Sequence, residues 1–362
     1  MHTSPLAQPG EGDSGGMNVY VRELAASLAQ AGVPTSVYVR TWQSGLPKRI
    51  SVEPGFEVVH IDAGRPDLAK EALPGVVDAF ADGVAADIER RGDVSVLHAN
   101  YWLSGVAAHR LKHDLELPLV TTFHTLASVK STLGDPEPDQ RERAEREIIG
   151  CSDAVCASGP VEAGQLMQYG GARPEQIELV PPGVDRAFFA PGDQRGARWA
   201  LGLGEDPVLL FVGRIQPLKG LSVAVEALGL MRNRRAQLLV VGGPSGGDGA
   251  AELARVHDLI DRFGLADRVR FAPPQPHHML STYYRAADFT VVPSRSESFG
   301  LVAAESLACG TPVVATDTGG LSTLIDEGVS GRLLADRDPR RWAEAFDDLL
   351  ARPSELAAMS RV

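Results

Sequence analysis

The sequence predicts an α/β protein of two doubly wound halves, each built around a parallel sheet with helices on both faces. Short apolar runs alternate with helical patterns along the chain, as expected where parallel strands are joined by crossover helices. The runs are almost continuously apolar, which is typical of strands buried on both faces. The length of 362 residues is enough for two domains with separate cores.

Apolar, β-rich runs mark the expected strands in chain order. In the first half these runs are Pro34–Arg40, Glu57–Ile61, Ser95–Ala99, Leu117–Phe123, Ala154–Ala157 and Ile177–Val180. In the second half they are Val208–Val212, Gln237–Val241, Val269–Ala272, Phe289–Pro293 and Pro312–Ala315. Helical patterns fill the intervals, so both halves read as repeated strand–helix units.

A Pro- and Gly-rich segment, Pro181–Asp193, lacks helical periodicity and marks the domain boundary. We expect domains at 1–187 and 193–362, with ligands at the carboxyl ends of the strands, in a central cleft that both domains face. The chain opens with a loop, Met1–Gly16, where a doubly wound half normally has its first central strand. It stops soon after the helical run Arg341–Leu350. We therefore expect the complete protein to extend beyond both ends.

The composition excludes several classes of function. The net charge of −12 argues against broad binding to nucleic acid or to anionic membranes. No apolar run reaches transmembrane length, and the first residues lack a signal-peptide pattern. The three cysteines, Cys151, Cys156 and Cys309, form no metal-type pairs and no disulfide framework. We expect a cytoplasmic protein, and a homodimer is compatible with the sequence.

The segment Glu297–Glu305 is the most informative part of the chain. It places Glu297 in a loop and Glu305 inside a helix that is expected to begin at Gly300. A helix N-terminus suits a phosphate or diphosphate, because its first amides are unpaired and carry partial positive charge. The flanking carboxylates are suited to accept hydrogen bonds from hydroxyl groups instead. Phosphate next to hydroxyl groups indicates a sugar nucleotide.

Two basic residues, Arg214 and Lys219, follow the first strand of the second half. Such residues usually face solvent. Together with the Glu297–Glu305 segment they indicate a clamp that neutralises a diphosphate and stabilises it as a leaving group.

The run Gly10–Gly15 literally matches the dinucleotide pattern G-x-G-x-x-G. No strand precedes it and no acidic residue follows the next strand, so it does not indicate NAD binding. We interpret Asp13–Asn18 as a loop in which Gly15 and Gly16 let backbone approach a ligand closely and Asn18 opens a helix. An ordinary turn is the alternative.

Polar residues of the first half are candidates for a second substrate. His124 lies at the cleft end of a buried strand, where we expect it to hydrogen-bond the transferred sugar or its developing charge. From spacing alone the other candidates are weak, since Lys and Arg mostly face solvent. These candidates are Lys70, Tyr101, Thr125, Lys130 and Arg141.

With these motifs the chain resembles the retaining glycosyltransferases of family 4, which have the GT-B fold of two Rossmann-like domains. Within them it is most similar to the D-inositol-3-phosphate glycosyltransferase group of mycothiol biosynthesis. The segments that carry the resemblance are Met1–Gly10, Gly15–Tyr20, Tyr101–Gly105, His124–Ala127, Gly213–Lys219, Gly242–Gly246 and Glu297–Glu305.

The resemblance implies transfer of N-acetylglucosamine from UDP-N-acetylglucosamine to 1D-myo-inositol 3-phosphate, with retention at the anomeric carbon. It assigns the acceptor to the domain 1–187 and the UDP-sugar to the domain 193–362. The implied donor-binding residues are Gln8, Pro9, Gly16, Arg214, Lys219, Gln275, Glu297, Phe299, Gly300, Leu301 and Glu305. The implied acceptor-binding residues are His2, Asp13, Ser14, Gly15, Gly16, Met17, Asn18, Lys70, Tyr101, Thr125 and Arg141. The residues with implied catalytic roles are His124, Arg214, Lys219 and Glu297.

The resemblance also implies a magnesium ion at Tyr284, Arg285, Ala287 and Thr311. We interpret it as structural, because no cluster of carboxylates is present to hold a catalytic metal. No cofactor is expected to be needed for the chemistry. With no carboxylate placed as a nucleophile, we expect front-face attack through an oxocarbenium-like state.

The chain departs from the family pattern at Asn100, where the family usually has a second histidine, and at Phe123, which replaces a small residue. Both lie on the acceptor side. Three alternatives therefore stay open: a related enzyme with another acceptor (a sugar phosphate, or a small thiol in an antibiotic pathway), a UDP-N-acetylglucosamine 2-epimerase, and a non-catalytic nucleotide-sugar-binding protein.

Overall fold

The structure is a computed structural model that describes residues 1, 3–8, 10, 14–132, 134 and 137–360. The chain folds into two compact units. The first unit is Met1–Ala7 with Met17–Pro181, and the second is Gln8–Gly16 with Pro182–Val362. The loop Gln8–Gly16 therefore packs with the second unit, although it precedes most of the first unit in the sequence.

The strands of the first unit form two sheets. The strands are β1 Thr35–Arg40, β2 Arg49–Glu53, β3 Phe56–Ile61, β4 Leu97–Asn100, β5 Leu119–Thr122, β6 Ala154–Ala157 and β7 Ile177–Leu179. One sheet has the order β1-β3-β2, with β2 antiparallel, and the other is the parallel sheet β4-β5-β6-β7. A single sheet was predicted for this half. The described strands form two sheets, because no described strand pairs with both β1 and β4 and so joins them. The described residues of Met1–Gly16 form no strand.

Helices cover the strands of the first unit. They are α1 Gly16–Gln30, α2 Val77–Arg91, α3 Trp102–Leu115, α4 Ala127–Thr132, α5 Asp139–Cys151 and α6 Pro160–Gln165, with a 3₁₀ helix at Lys70–Val76. Apolar faces of α2 and α3 pack with β3 and β4 in one core, while Phe123, Ile148 and Val155 belong to another. Helices α3 and α5 approach closely at Gly105, where a Cβ atom would lie 2.8 Å from Cδ1 of Ile148.

The second unit is a single parallel sheet with helices on both faces. Its strands are β8 Val208–Val212, β9 Gln237–Val241, β10 Val269–Ala272, β11 Phe289–Val292, β12 Val313–Thr316 and β13 Gly331–Leu334. Their order is β10-β9-β8-β11-β12-β13, and every pairing is parallel. The direction of winding reverses between β8 and β11, which is the position where doubly wound sheets bind ligands.

The helices of the second unit bury the apolar strands from both sides. They are α7 Gln194–Ala200, α8 Leu221–Leu230, α9 Gly249–Phe263, α10 Leu280–Ala286, α11 Leu301–Ala308, α12 Leu321–Leu324, α13 Pro339–Leu350 and α14 Pro353–Met359. On one face Trp342 and Phe346 of α13 are fully buried with Phe289 of β11. Across the described part of the chain, no helix is both long and apolar enough to cross a bilayer.

Candidate active site

Two loops at the switch point of the second sheet carry the residues predicted to bind the donor. Arg214 and Lys219 follow β8, and Glu297 follows β11. The ammonium group of Lys219 donates to both carboxylate oxygens of Glu297, each at 2.6 Å. The pair is only partly exposed. The structure thus brings one predicted cation and one predicted carboxylate together at the expected edge of the sheet.

Helix α11 begins at the predicted position. Gly300 precedes its first residue with a φ of 97°, in the left-handed region that favours glycine. A Cβ atom there would lie 2.7 Å from Cδ2 of Leu321. Gly300, the residue before the helix, has no side chain that could cap it, and the first-turn amides of a helix have no acceptor within the helix. The start of α11 is therefore suited to an anionic group.

The second predicted carboxylate, Glu305, is buried in α11. Its Oε2 atom accepts a hydrogen bond from the Tyr284 hydroxyl at 2.7 Å, and its Oε1 atom lies 2.7 Å from Nε2 of His277. Burial, together with the neighbouring carboxylate, raises the pKa of Tyr284 well above its usual value, so this phenol remains a donor. Each carboxylate oxygen has a second lone pair, so Glu305 is held in one orientation and can still accept from a hydroxyl group.

The loop Gln8–Gly16 lies against these same elements of the second unit. Nε2 of Gln8 donates to the carbonyl oxygen of Pro274 at 2.8 Å. A Cβ atom at Gly15 would lie 3.3 Å from Nε of Arg214, and one at Gly16 would lie 3.3 Å from Cδ1 of Leu301. The backbone at Gly15 and Gly16 thus lies close to Arg214 and to the first residue of α11, and its approach to a ligand stays a prediction.

Other predicted residues of the N-terminal segment have more varied positions. Ser14 is buried, and its carbonyl oxygen accepts from the Gly10 amide at 2.9 Å, while Met17 is half-buried. The expectation that Asn18 opens the helix is wrong, because α1 begins at Gly16 and Asn18 lies inside it. Three predicted residues fall outside the described residues; these are His2, Pro9 and Asp13.

The Asn18 amide is used within the protein. Its Nδ2 atom donates to Oγ1 of Thr3 and to the carbonyl oxygen of Ser4, both at 2.6 Å. These bonds hold the first residues of the chain against α1. Any contact of Asn18 with an acceptor stays a prediction.

Four residues predicted to bind the acceptor are neighbours in the first unit. The Lys70 ammonium lies 5.9 Å from the centre of the Tyr101 ring, and Cζ of Arg141 lies 5.0 Å from the same centre. Arg141 also donates from Nη2 to the carbonyl oxygen of Thr125 at 2.8 Å. Residues that lie far apart in the sequence therefore form one cluster, here named the basic cluster: Lys70, Tyr101, Thr125 and Arg141.

Arg141 is the buried centre of the basic cluster, with 2% of its side chain exposed. Its Nε atom donates to Glu145 at 2.7 Å, and Nη1 lies 3.0 Å from Glu137. Burial opposes the charge of Arg141, but Tyr101 and the two carboxylates outweigh it and raise the pKa of the guanidinium. Glu137 also pairs with Lys130. One carboxylate therefore bridges two cations beside the cluster.

His124 is neutral and held in place by Asn100. Burial in its surroundings, with a smaller effect of His98, lowers the pKa of His124 to about 3. Nε2 of His124 lies 2.9 Å from Oδ1 of Asn100. Because an amide oxygen only accepts hydrogen bonds, Nε2 carries the proton and Nδ1 is the acceptor nitrogen. Asn100, where the family usually has a histidine, thus sets the tautomer of His124.

The backbone is strained at two of the predicted residues. Tyr101 has a φ of 75° and His124 a φ of 63°, and they follow β4 and β5, which are adjacent strands. Side chains other than glycine rarely adopt such angles. Strain of this kind is retained where a particular side-chain position is needed, and it concentrates at functional sites.

Named relatives match over almost the whole chain. The D-inositol 3-phosphate glycosyltransferase 2 of Catenulispora acidiphila is 46% identical, over 99% of this chain and 87% of that protein. The D-inositol 3-phosphate glycosyltransferase of Frankia alni is 47% identical, over 99% of this chain and 92% of that protein. The chain belongs to the D-inositol 3-phosphate glycosyltransferase family.

Two domain families match successive parts of this member of the D-inositol 3-phosphate glycosyltransferase family. "Glycosyl transferase 4-like domain" matches residues 15–183, and "Glycosyl transferases group 1" matches residues 193–361. The sucrose-phosphate synthase of Thermosynechococcus elongatus has a similar structure, with a TM-score of 0.93 and 32% identity over 100% of this chain and 90% of that one. HepE of Anabaena, solved with UDP and glucose, shares the fold, with a TM-score of 0.77 and 19% identity over 98% and 91% of the two chains. The protein is a glycosyltransferase with the GT-B fold.

Several of the oxygens implied to hold magnesium accept hydrogen bonds within the protein. The carbonyl oxygen of Tyr284 accepts from Oγ1 of Thr311 at 2.8 Å and from the Ala287 amide at 3.1 Å. The carbonyl oxygen of Ala287 accepts from Gln194 at 2.9 Å, and Arg285 donates to the segment before α7. Magnesium requires about six oxygen ligands in octahedral geometry, so an ion here would need water ligands or a rearrangement of these bonds, and the magnesium site stays a prediction. We assign no step to a metal.

Some contacts of the site were not predicted from the sequence. His277, which positions Glu305, gives no local signal, because it lies 28 positions before its partner. Glu145 could have been found, since it lies four residues after Arg141 and such spacing places both charges on one face of a helix, whereas Glu137 lies before α5. Gln275 was predicted to bind the donor, and its Nε2 atom donates to the carbonyl oxygen of Pro273 at 2.9 Å. Phe299 is half-buried in the loop before α11.

Proposed function

We propose that this glycosyltransferase moves N-acetylglucosamine from UDP-N-acetylglucosamine to 1D-myo-inositol 3-phosphate, the first step of mycothiol biosynthesis, with retention at the anomeric carbon. The observation that carries the proposal is the basic cluster, in which Lys70, Tyr101, Thr125 and Arg141 meet. The names of the relatives support the acceptor, and the family resemblance supports the sugar.

The basic cluster suits a small phosphorylated acceptor. Lys70 is exposed, so its ammonium can reach a ligand, whereas Arg141 is buried and held in a fixed orientation. A guanidinium and an ammonium on either side of a phosphate give strong charge-assisted hydrogen bonds. The Tyr101 hydroxyl lies 3.4 Å from Nη1 of Arg141 and adds a neutral hydrogen-bond donor, with its ring beside the phosphate. This donor alone discriminates poorly between a phosphate and a carboxylate.

The switch point of the second sheet suits a nucleoside diphosphate sugar. The start of α11 and the cations of Arg214 and Lys219 would hold the diphosphate. Glu305, held by Tyr284 and His277, would accept from the ribose hydroxyls. Glu297 would accept from hydroxyls of the transferred sugar.

The proposed reaction proceeds on one face of the sugar. The bond between the anomeric carbon and the β-phosphate oxygen breaks, and an acceptor hydroxyl bonds to the same carbon from the side that UDP leaves. Its proton passes to the leaving phosphate oxygen. The Lys219 and Arg214 cations stabilise the charge that develops on UDP. His124, being neutral, would accept a hydrogen bond from the sugar and does not repel the oxocarbenium-like carbon.

Product analysis tests the proposal directly. The purified chain is incubated with UDP-N-acetylglucosamine and 1D-myo-inositol 3-phosphate, and the products are identified by mass spectrometry. We expect UDP and a glycosylated inositol phosphate, with an α-anomeric signal by NMR. Unphosphorylated inositol is the matched control, and transfer to it at equal efficiency would refute the role of the basic cluster.

A sugar phosphate is the second acceptor to test, because the chain is 32% identical to a sucrose-phosphate synthase. The same assay with a hexose phosphate distinguishes the two acceptors. A reaction without any acceptor that changes the sugar of the UDP-sugar would indicate an epimerase. Binding of UDP-sugar without turnover of any acceptor would indicate a binding protein.

A further inference from the structure

A second group of chemically reactive side chains lies on the first unit, away from the basic cluster. It consists of His109 and His113 on α3 and Cys151 at the end of α5. One ligand atom from each of the three lies within 4.8 Å of the other two. No other set of three such ligands comes together among the described residues.

The packing of α3 on α5 explains why these side chains meet. Gly105, His109 and His113 are spaced by four residues and therefore share one face of α3. Gly105 lets this face approach Ile148 of α5 closely. Cys151 lies three residues after Ile148, on the same face of its helix. The facing sides of the two helices thus bring two imidazoles and one thiol together.

The chemistry of the three groups fits a borderline-soft divalent cation. Two imidazole nitrogens and one thiolate are typical ligands of Zn²⁺, with bonds of about 2.0–2.1 Å and about 2.3 Å. The side chains are half-buried at His109 and Cys151 and exposed at His113, so an ion can enter from solvent. The centres of the two imidazole rings lie 5.1 Å apart.

We propose that His109, His113 and Cys151 form a Zn²⁺ site, completed by water, that ties the carboxyl-terminal part of α3 to the end of α5. No local sequence pattern indicates this site, because Cys151 follows His113 by 38 positions and is not part of a cysteine pair. The site lies at the opposite ends of α3 and α5 from Tyr101 and Arg141, which are at their amino-terminal ends. The ion therefore stabilises the helix pair without contacting the acceptor.

Cobalt and zinc titration of the tag-free, metal-free and reduced chain tests the site. We expect Co²⁺ to give a thiolate-to-cobalt charge-transfer absorption that Cys151→Ser abolishes. His113→Ala should weaken Zn²⁺ binding on the order of 100-fold, since loss of even an outer-shell partner costs about 10- to 100-fold. His257→Ala is the matched control, because His257 is another exposed helical histidine, and it should bind as the unmodified chain does.

Protection of the thiol gives an independent measurement. Zn²⁺ should slow alkylation of Cys151, located by peptide mass spectrometry, and raise the melting temperature of the unmodified chain but not of Cys151→Ser. Because Cys151 and His113 are partly or fully exposed, both variants should fold. The proposal is overturned if the unmodified chain shows no charge-transfer absorption with Co²⁺, or if either variant binds Zn²⁺ as tightly as the unmodified chain.

Discussion

Replacing Glu297 by Gln should move nucleotide affinity and turnover in opposite directions. In the structure the Glu297 carboxylate accepts hydrogen bonds from the Lys219 ammonium through both of its oxygens. A diphosphate that binds Lys219 has to compete with this carboxylate. The amide of Gln has the same size but no charge, so it leaves Lys219 available to UDP.

The magnitude follows from the exposure of the pair. Lys219 is 24% and Glu297 15% exposed, which places the pair near the surface, where screening reduces an ion pair to roughly 1 kcal/mol. Releasing Lys219 should therefore tighten UDP binding about fivefold. Turnover should fall on the order of 100-fold, because the carboxylate that accepts from the transferred sugar is lost.

Two measurements on the same protein decide this prediction. Isothermal titration with UDP gives the affinity, and mass spectrometry of the glycosylated product gives the turnover. Glu344→Gln is the matched control, since it removes the same charge from an exposed position of α13. If Glu297→Gln binds UDP no more tightly than the control, Lys219 is not held back by Glu297 and the reasoning is refuted.

Three further predictions test other parts of the molecule. Lys70→Ala should raise the KM for the acceptor roughly 10- to 100-fold, because one charge-assisted hydrogen bond is lost. The KM for the donor should stay unchanged. Lys48→Ala is the kinetic control, since Lys48 is also exposed. Gly220→Ala should lower the melting temperature by several degrees, since its φ is 74° and a Cβ atom would lie 2.3 Å from a carbonyl oxygen. Gly204→Ala is the control and should leave the melting temperature unchanged, because a Cβ atom there would have no neighbouring atom within 4 Å. Burial lowers the pKa of His98 to about 4. As the pH falls, His98 is therefore protonated in the unfolded chain before it is protonated in the folded protein. The contribution of His98 to stability should then be complete above about pH 6.5 and fall towards pH 4, by at most ~1.4 kcal/mol per pH unit for this one group, so the slope measured by urea unfolding should be shallower in His98→Asn.

Each of these predictions has a result that contradicts it. An unchanged acceptor KM in Lys70→Ala would remove Lys70 from the acceptor site. Equal melting temperatures of the two glycine variants would mean that the loop before α8 relaxes without cost. An identical pH slope in His98→Asn would show that other groups account for the loss of stability in acid.

The sequence predicted the buried parallel strands well because their signal is local. An unbroken apolar run such as Val208–Val212 is buried on both faces and can hardly be anything else. The strands that were missed, Arg49–Glu53 and Gly331–Leu334, lie at the edges of their sheets. Their side chains are mostly only half-buried, so the composition of these segments resembles that of a loop.

The site shows the same division between local and distant information. Gly300 could be placed at the start of α11 because a glycine before an apolar helical run is a local signal. The contact of His277 with Glu305, and that of Lys70 with Tyr101, depend on how distant segments pack. Family resemblance, not spacing, predicted that Lys70 and Arg141 belong together, and the structure places them on the same aromatic ring.

The carboxylate of Glu137, shared between Lys130 and Arg141, has a consequence for selectivity. In the absence of an acceptor it acts as a built-in counter-anion and spares the buried guanidinium an uncompensated charge. A weakly bound chloride or acetate offers no more charge than the carboxylate already present and is a poor competitor. If the proposed function holds, a phosphate monoester with nearly two charges would displace Glu137 from the two cations, and the shared carboxylate would favour doubly charged ligands over singly charged ones.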